Sequence, residues 1–146
     1  WAMTLVDRAS AESLLGQHDA ALADLKRALP ILDEQLGMGS LAARQARTVL
    51  GEVHERRGDA ADEARVAYTG ALSPANDNPA SASPTRDWLR ARAMLGMARL
   101  AITTDPAKAA QLARDARAAI GASPQSVREQ RLVEQALAIE TKARPG

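Results

Sequence analysis

Leu50-Gly51-Glu52-Val53-His54, followed by Gly58-Asp59 and then by Ala64, Tyr68 and Ala71-Leu72, is the stretch on which the reading of this chain turns. Before Gly58 the spacing sets Val49, Leu50, Val53 and His54 on one helical face. After Asp59 it sets Ala64, Ala67, Tyr68, Ala71 and Leu72 on another. Gly58 can close the first helix in a left-handed conformation, and Asp59 can cap the second. Two helices with two apolar faces cannot bury both within one hairpin, so the pattern asks for similar hairpins on either side.

The rest of the chain supplies them. Ala2 to Leu15 carries Leu5, Ala9, Ala11, Leu14 and Leu15 and breaks at Gly16. From His18-Asp19 a second run places Ala21, Leu22, Leu25, Ala28, Leu29 and Leu32 at spacings of three and four, closed by Gly37 and Gly39. Pro30 lies inside that run, where it removes an amide donor and crowds the carbonyl of Lys26, so a kink or an early end near Leu29 is expected. Ser40 is a good N-cap for the helix that runs to Arg57. Residues 73–84, rich in Pro, Ser and Asn, read as a linker, after which Ser83 or Thr85 can cap a fifth helix holding Trp88, Leu89, Leu95 and Leu100. Asp105-Pro106 is a cap followed by proline at the first helical position, and that helix is expected to reach Ile120 before Gly121. Ser123-Pro124 repeats the device ahead of Val127, Leu132, Val133, Ala136, Leu137 and Ile139.

Composition agrees with an all-α chain. Of 146 residues, 46% are apolar and 25% charged, the balance of a globular protein, yet there is no Phe, one Tyr and two Trp. The core must therefore be built from Ala, Leu, Val, Ile and Met, whose small members let helices approach closely. With no cysteine there is neither a disulfide framework nor a thiolate metal site, which fits a reducing, cytoplasmic setting. No apolar run has membrane-spanning length and no signal peptide is visible. The chain starts inside an apolar pattern without an initiator Met and is expected to be a piece of a larger protein. Net charge is +1, unevenly spread: −3 over residues 1–73 and +4 over residues 74–146.

The segments repeat. Gly16 and Gly58 are 42 residues apart, each followed by an Ala-rich helix that reaches Ala-Leu, at Ala28-Leu29 and Ala71-Leu72; Leu50-Gly51 and Leu95-Gly96 are 45 apart. Such periods mark helical solenoids. The residues resemble the tetratricopeptide repeat (TPR), with its Trp-x2-Leu-Gly-x2-Tyr and Ala-x3-Phe patterns. Leu50-Gly51-x2-His54 and Leu95-Gly96-x2-Arg99 match the first in part, with Arg47 and Arg92 in place of Trp; Ala64-x3-Tyr68 matches the second, and Ala21-x3-Leu25 and Ala109-x3-Ala113 match it loosely. The long period and the phrase from Ala28 to Gly37 look like the longer repeat of kinesin light chain and of bacterial signalling proteins. The first helix departs from the pattern, with Arg8 and Ala9 where Leu-Gly belongs, and Thr103-Thr104 replaces a turn glycine. The resemblance implies one domain over residues 1–146, an α-α superhelix of three helical hairpins (units about 1–36, 40–72 and 85–121) and a C-terminal capping helix over 124–143. Gly51 and Gly96 are expected to face Ala64 and Ala109 where paired helices cross.

Chemistry is sparse. His18 and His54 are the only histidines, and both fall where the repeat places a packing aromatic. His54-Glu55 opens like a zinc-protease motif, but no second His follows at the needed spacing. No serine is patterned with a histidine, and the glycines stand singly at helix ends rather than in a phosphate loop. No catalytic residue, metal or cofactor is expected. The arginines at 86, 90, 92, 99, 114 and 117 are interrupted by Asp87, Asp105 and Asp115 without aromatic interleaving, so no nucleic acid is expected either. What remains is a surface. The resemblance implies that Gln45, Thr48, Glu52, Glu55 and Arg56, with Arg90, Ala93, Met97 and Leu100, line a concave groove for a peptide or protein partner. A regulatory or dimerisation appendage of a bacterial signalling protein, and self-association through the ends of the stack, are the alternatives.

Overall fold

The computed structural model describes residues 1–72, 84–121, 124 and 126–144. Among these residues seven helices form and no strand: α1 (Ala2–Leu14), α2 (His18–Leu36), α3 (Leu41–Arg57), α4 (Ala61–Leu72), α5 (Pro84–Ala101), α6 (Pro106–Ile120) and α7 (Val127–Lys142). The chain, read from its sequence as one domain, divides into two compact units, Trp1–Ser81 and Ala82–Gly146. The expected linker, residues 73–84, falls at this division, and all of it but Pro84 lies outside the described residues.

In the first unit α1 packs on α2 and α3, α2 packs on α3, and α3 packs on α4. Among the described residues α4 touches neither α1 nor α2, so the four helices stand in an open row and do not close into a bundle. The core joins Leu5, Val6 and Ala9 of α1 to Leu25, Ala28 and Leu32 of α2 and to Ala46, Val49 and Val53 of α3. Each buried Leu or Val contributes about 1.5–3 kcal/mol by leaving water. The alanines contribute less individually, but they let the helix axes come close enough for dense packing. In the second unit α5 packs on α6, α6 on α7 and α5 on α7. Its core sets Leu95 and Leu132 among Ala91, Ala113, Ala116 and Ala136, with Trp88, Met94, Ile120 and Ile139 packed against them.

Most helix ends are those the sequence signals. Gly58 closes α3 at φ +81°, a conformation costly for any residue with a Cβ. Ser40 Oγ accepts from the Ala43 amide at 3.1 Å, and Asp105 Oδ1 accepts from the Lys108 amide at 3.1 Å with Pro106 following. Other expectations are corrected. Pro30 neither ends nor shortens α2, which runs unbroken to Leu36. The turns around it are anchored by Ala28 and Leu32 in the core, and Pro30 faces solvent, where water can satisfy the freed carbonyl of Lys26. Asp59 lies two residues before α4, its carboxylate 3.3 Å from Arg57. Thr85 is inside α5, which begins at Pro84, and Ser83 lies outside the described residues. Ser123 lies outside them as well; the cap of α7 is Ser126, whose Oγ accepts from the Glu129 amide at 3.2 Å. In α1 the buried stripe is Ala2, Leu5, Val6, Ala9 and Ser13, leaving Leu14 and Leu15 more than two-thirds exposed. Leu14 follows Ser13 by about 100° around the helix axis and so falls off that stripe, and Leu15 is already the C-cap.

Candidate functional site

The crossing of α3 and α4 is built around Tyr68. Its ring is fully buried, and a Cβ placed on Gly51 would lie 2.6–2.9 Å from ring atoms Cε1, Cδ1 and Cζ. Gly51 is therefore the close-contact position the sequence indicates, but the side chain that needs it small is Tyr68, one turn beyond the expected Ala64. Only a glycine lets the ring lie against the α3 backbone. The Tyr68 hydroxyl donates to Glu55 Oε1 at 2.6 Å, which satisfies a buried phenol with a carboxylate. His54, on the turn below, is half-buried and its Nδ1 has no hydrogen-bond partner. Desolvation by burial holds its imidazole below the usual histidine pKa; Glu63 and Asp59 pull it upward and Arg57 pushes it further down.

The nine residues expected to line a groove divide between the two units, five on α3 and four on α5. On α3, Gln45 is half-buried, while Thr48 is withdrawn from solvent and its Oγ1 donates to the Arg44 carbonyl at 2.9 Å. Glu52 is buried at its edge. Glu55 holds Tyr68, and Arg56 Nη1 donates to Ser13 Oγ at 3.1 Å, tying α3 to α1. Several of these side chains are thus part of the scaffold. On α5, Ala93 is fully buried, and Arg90, Met97 and Leu100 are half-buried. Met97 and Leu100 are not among the side chains packed on the Leu95–Leu132 cluster.

Spacing along the chain carries no sign of the polar ties between helices. Arg8 and Asp24 form a two-pronged pair between α1 and α2, with Nη2 donating to Oδ1 at 2.6 Å and Nε to Oδ2. The hydrogen bond from Arg8 is the main cause of the lowered pKa of the buried Asp24 carboxyl. Arg47, which stands where the TPR pattern has Trp, donates from Nη1 and Nη2 to Asp33 at 2.9 and 2.7 Å. Its stem passes Gly70, where an added Cβ would come 3.1 Å from Arg47 Cδ, so one arginine links α2, α3 and α4. In the second unit Arg92 and Arg128 stack on the ring of Trp88, 5.0 and 4.1 Å from its centroid, tying α7 to α5. Arg117 and Glu140 join α6 to α7, Nη2 donating to Oε1 at 2.8 Å. Helical period identifies which residues face inward, but it does not say which arginine meets which carboxylate across a crossing.

Two open clefts flank the α6–α7 seam. One, of about 470 Å³, is lined by Pro106, Ala107, Ala110, Arg114, Glu140, Ala143 and Arg144; the other, of about 490 Å³, shares Arg114 and adds Arg117, Ala118 and Val133. No sequence motif marks them; the basic C-terminal half is their only trace. Among the described residues no three His, Asp or Glu side chains gather as a metal site, and no helix is long and apolar enough to cross a membrane. Compared with protein-family models, with curated proteins and with solved structures, the chain matches none.

Proposed function

We propose that the chain is a TPR-like helical repeat module that binds a peptide or protein partner without catalysing a reaction. The observation that carries this reading is the packing order of the first unit. α3 is held by α1, α2 and α4, while among the described residues of this unit α4 rests on α3 and not on α1 or α2. An open row of helices leaves faces unpaired that a closed bundle would bury, and such faces are the binding surfaces of helical solenoids. The glycine-on-tyrosine crossing of Gly51 and Tyr68 supports the same reading, because close helix contact at a small residue is what the repeat pattern specifies.

The α3 face of the first unit is polar, through Gln45 and the edge of Glu52. The α5 face of the second unit is mixed, through Arg90, Met97 and Leu100, and suits a peptide segment with one apolar side. The test is comparative capture from the source cell by the immobilised chain and by a Gln45→Arg/Met97→Lys variant of unchanged helical circular dichroism. A partner retained by the parent and lost by the variant is expected; equal recovery by both would remove the α3 and α5 faces as the binding surface.

A further inference from the structure

We propose that the α6–α7 seam of the second unit is a docking surface for an acidic peptide. It uses residues of α6 and α7, none of which belongs to the α3 and α5 faces proposed above.

Charge is the first observation. Divided at the boundary between the compact units, the sequence gives residues 1–81 a net −4, with 8 Lys and Arg against 12 Asp and Glu; residues 82–146 carry +5, with 11 against 6. The asymmetry is sharper at this structural boundary than at the chain's midpoint. A unit of about 65 residues with that excess attracts polyanions and orients their approach.

The second observation is that two of the cations left without a carboxylate partner border one cleft. Arg114 lines both clefts, and its Nη2 donates to Gln111 Oε1 at 2.8 Å, a neutral partner. The other end of the same amide, Gln111 Nε2, donates to Asp115 Oδ1 at 2.8 Å. Arg144 lines the first cleft, and among the described residues neither it nor Arg114 has a carboxylate partner. The one acid in the lining, Glu140, is engaged by Arg117 across the seam, with Nε 2.7 Å from Oε2. Two exposed guanidinium groups therefore border a shallow hollow whose floor is Pro106, Ala107, Ala110 and Ala143.

That combination fits a carboxylate-bearing peptide. Guanidinium groups take carboxylates in two-pronged hydrogen bonds, and the alanine floor accepts small apolar side chains between them. A nucleic acid fits less well. Base stacking needs exposed aromatic faces, and the aromatic residue of this unit, Trp88, is already covered by Arg92 and Arg128.

The experiment uses fluorescence polarisation of a short fluorescein-labelled peptide repeating Glu-Leu-Ala-Asp, titrated with the whole chain at low salt. Saturable binding is expected, weakening as salt is raised. Arg114→Glu/Arg144→Glu should weaken it about tenfold or more. Arg131→Glu/Lys142→Glu, which changes net charge equally at residues outside the clefts, should stay within about threefold of the parent. The Gln45→Arg/Met97→Lys variant should bind as the parent does. Absence of saturable binding, or equal weakening by the two charge-reversal pairs, would overturn the proposal. So would loss of binding in the Gln45/Met97 variant alone, which would place the peptide on the α3 and α5 faces. Displacement by a single-stranded oligonucleotide at lower concentration than by unlabelled peptide would assign the surface to nucleic acid instead.

Discussion

Tyr68 and Gly51 are a matched pair, and each explains the other. Substituting Gly51 by Ala gains up to about 1 kcal/mol of helix propensity, but it drives a methyl into a ring that is fully buried and tethered through its hydroxyl. The clash wins because the ring has nowhere to go. Gly51→Ala is expected to lower unfolding free energy by about 1–2 kcal/mol net, and Gly51→Leu by about 3 kcal/mol, read from urea midpoints at unchanged slope. His54, beside this pair, makes a pH prediction. Burial lowers its pKa in the folded chain, so above the unfolded value of about 6.5 both states are neutral and nothing is lost. As pH falls below that value the unfolded chain takes the proton first, and stability declines. Urea midpoints measured on either side of pH 6.5 should therefore drop toward acid in the parent and drop less in His54→Gln; equal slopes would refute the assignment.

Among the elements, α2 shows tertiary contacts overriding local preference. A proline in a helix interior costs about 3 kcal/mol relative to alanine, yet α2 passes through Pro30 and continues to Leu36. Leu25, Ala28 and Leu32 are fixed in the core, and beyond the proline Asp33 is held by Arg47. With both flanks anchored, ending the helix would cost more than one missing hydrogen bond. Pro30→Ala restores the amide donor to the Lys26 carbonyl without touching the core. It should raise unfolding free energy by about 1–3 kcal/mol, measured by thermal or urea denaturation, and a lowered midpoint would show that the proline is needed where it stands.

Across the chain, the residues form two compact units with separate cores. The first core draws on α1, α2 and α3, and the second on α5, α6 and α7. Each is complete in its own helices, so fragments 1–81 and 82–146 should each keep a helical spectrum and a cooperative urea transition when made alone. The second should be the weaker. At about 65 residues, with a centre drawn largely from alanines, it has limited apolar area to set against chain entropy, and a stability below about 5 kcal/mol is expected. A non-cooperative melt of fragment 82–146 would show that its core depends on the rest of the chain.

Helix number, most boundaries and the caps at Ser40, Gly58 and Asp105 were legible in the order of residues, because caps and amphipathic periods act within a few positions of the residues that encode them. The close-contact role of Gly51 was legible for the same reason. Its partner was not: Ala64 and Tyr68 lie one turn apart on the same stripe, and only the depth at which α3 and α4 cross selects the ring. The α3 residues expected to face the groove have ties that spacing does not show, since folding gives Glu55 to Tyr68, Arg56 to Ser13 and Thr48 to a backbone carbonyl. Which arginine meets which acid, how far α2 survives its proline, and where the positive charge is left without a partner depend on helices distant in sequence. Those outcomes arise from the packing of the helices against one another, which no local pattern records.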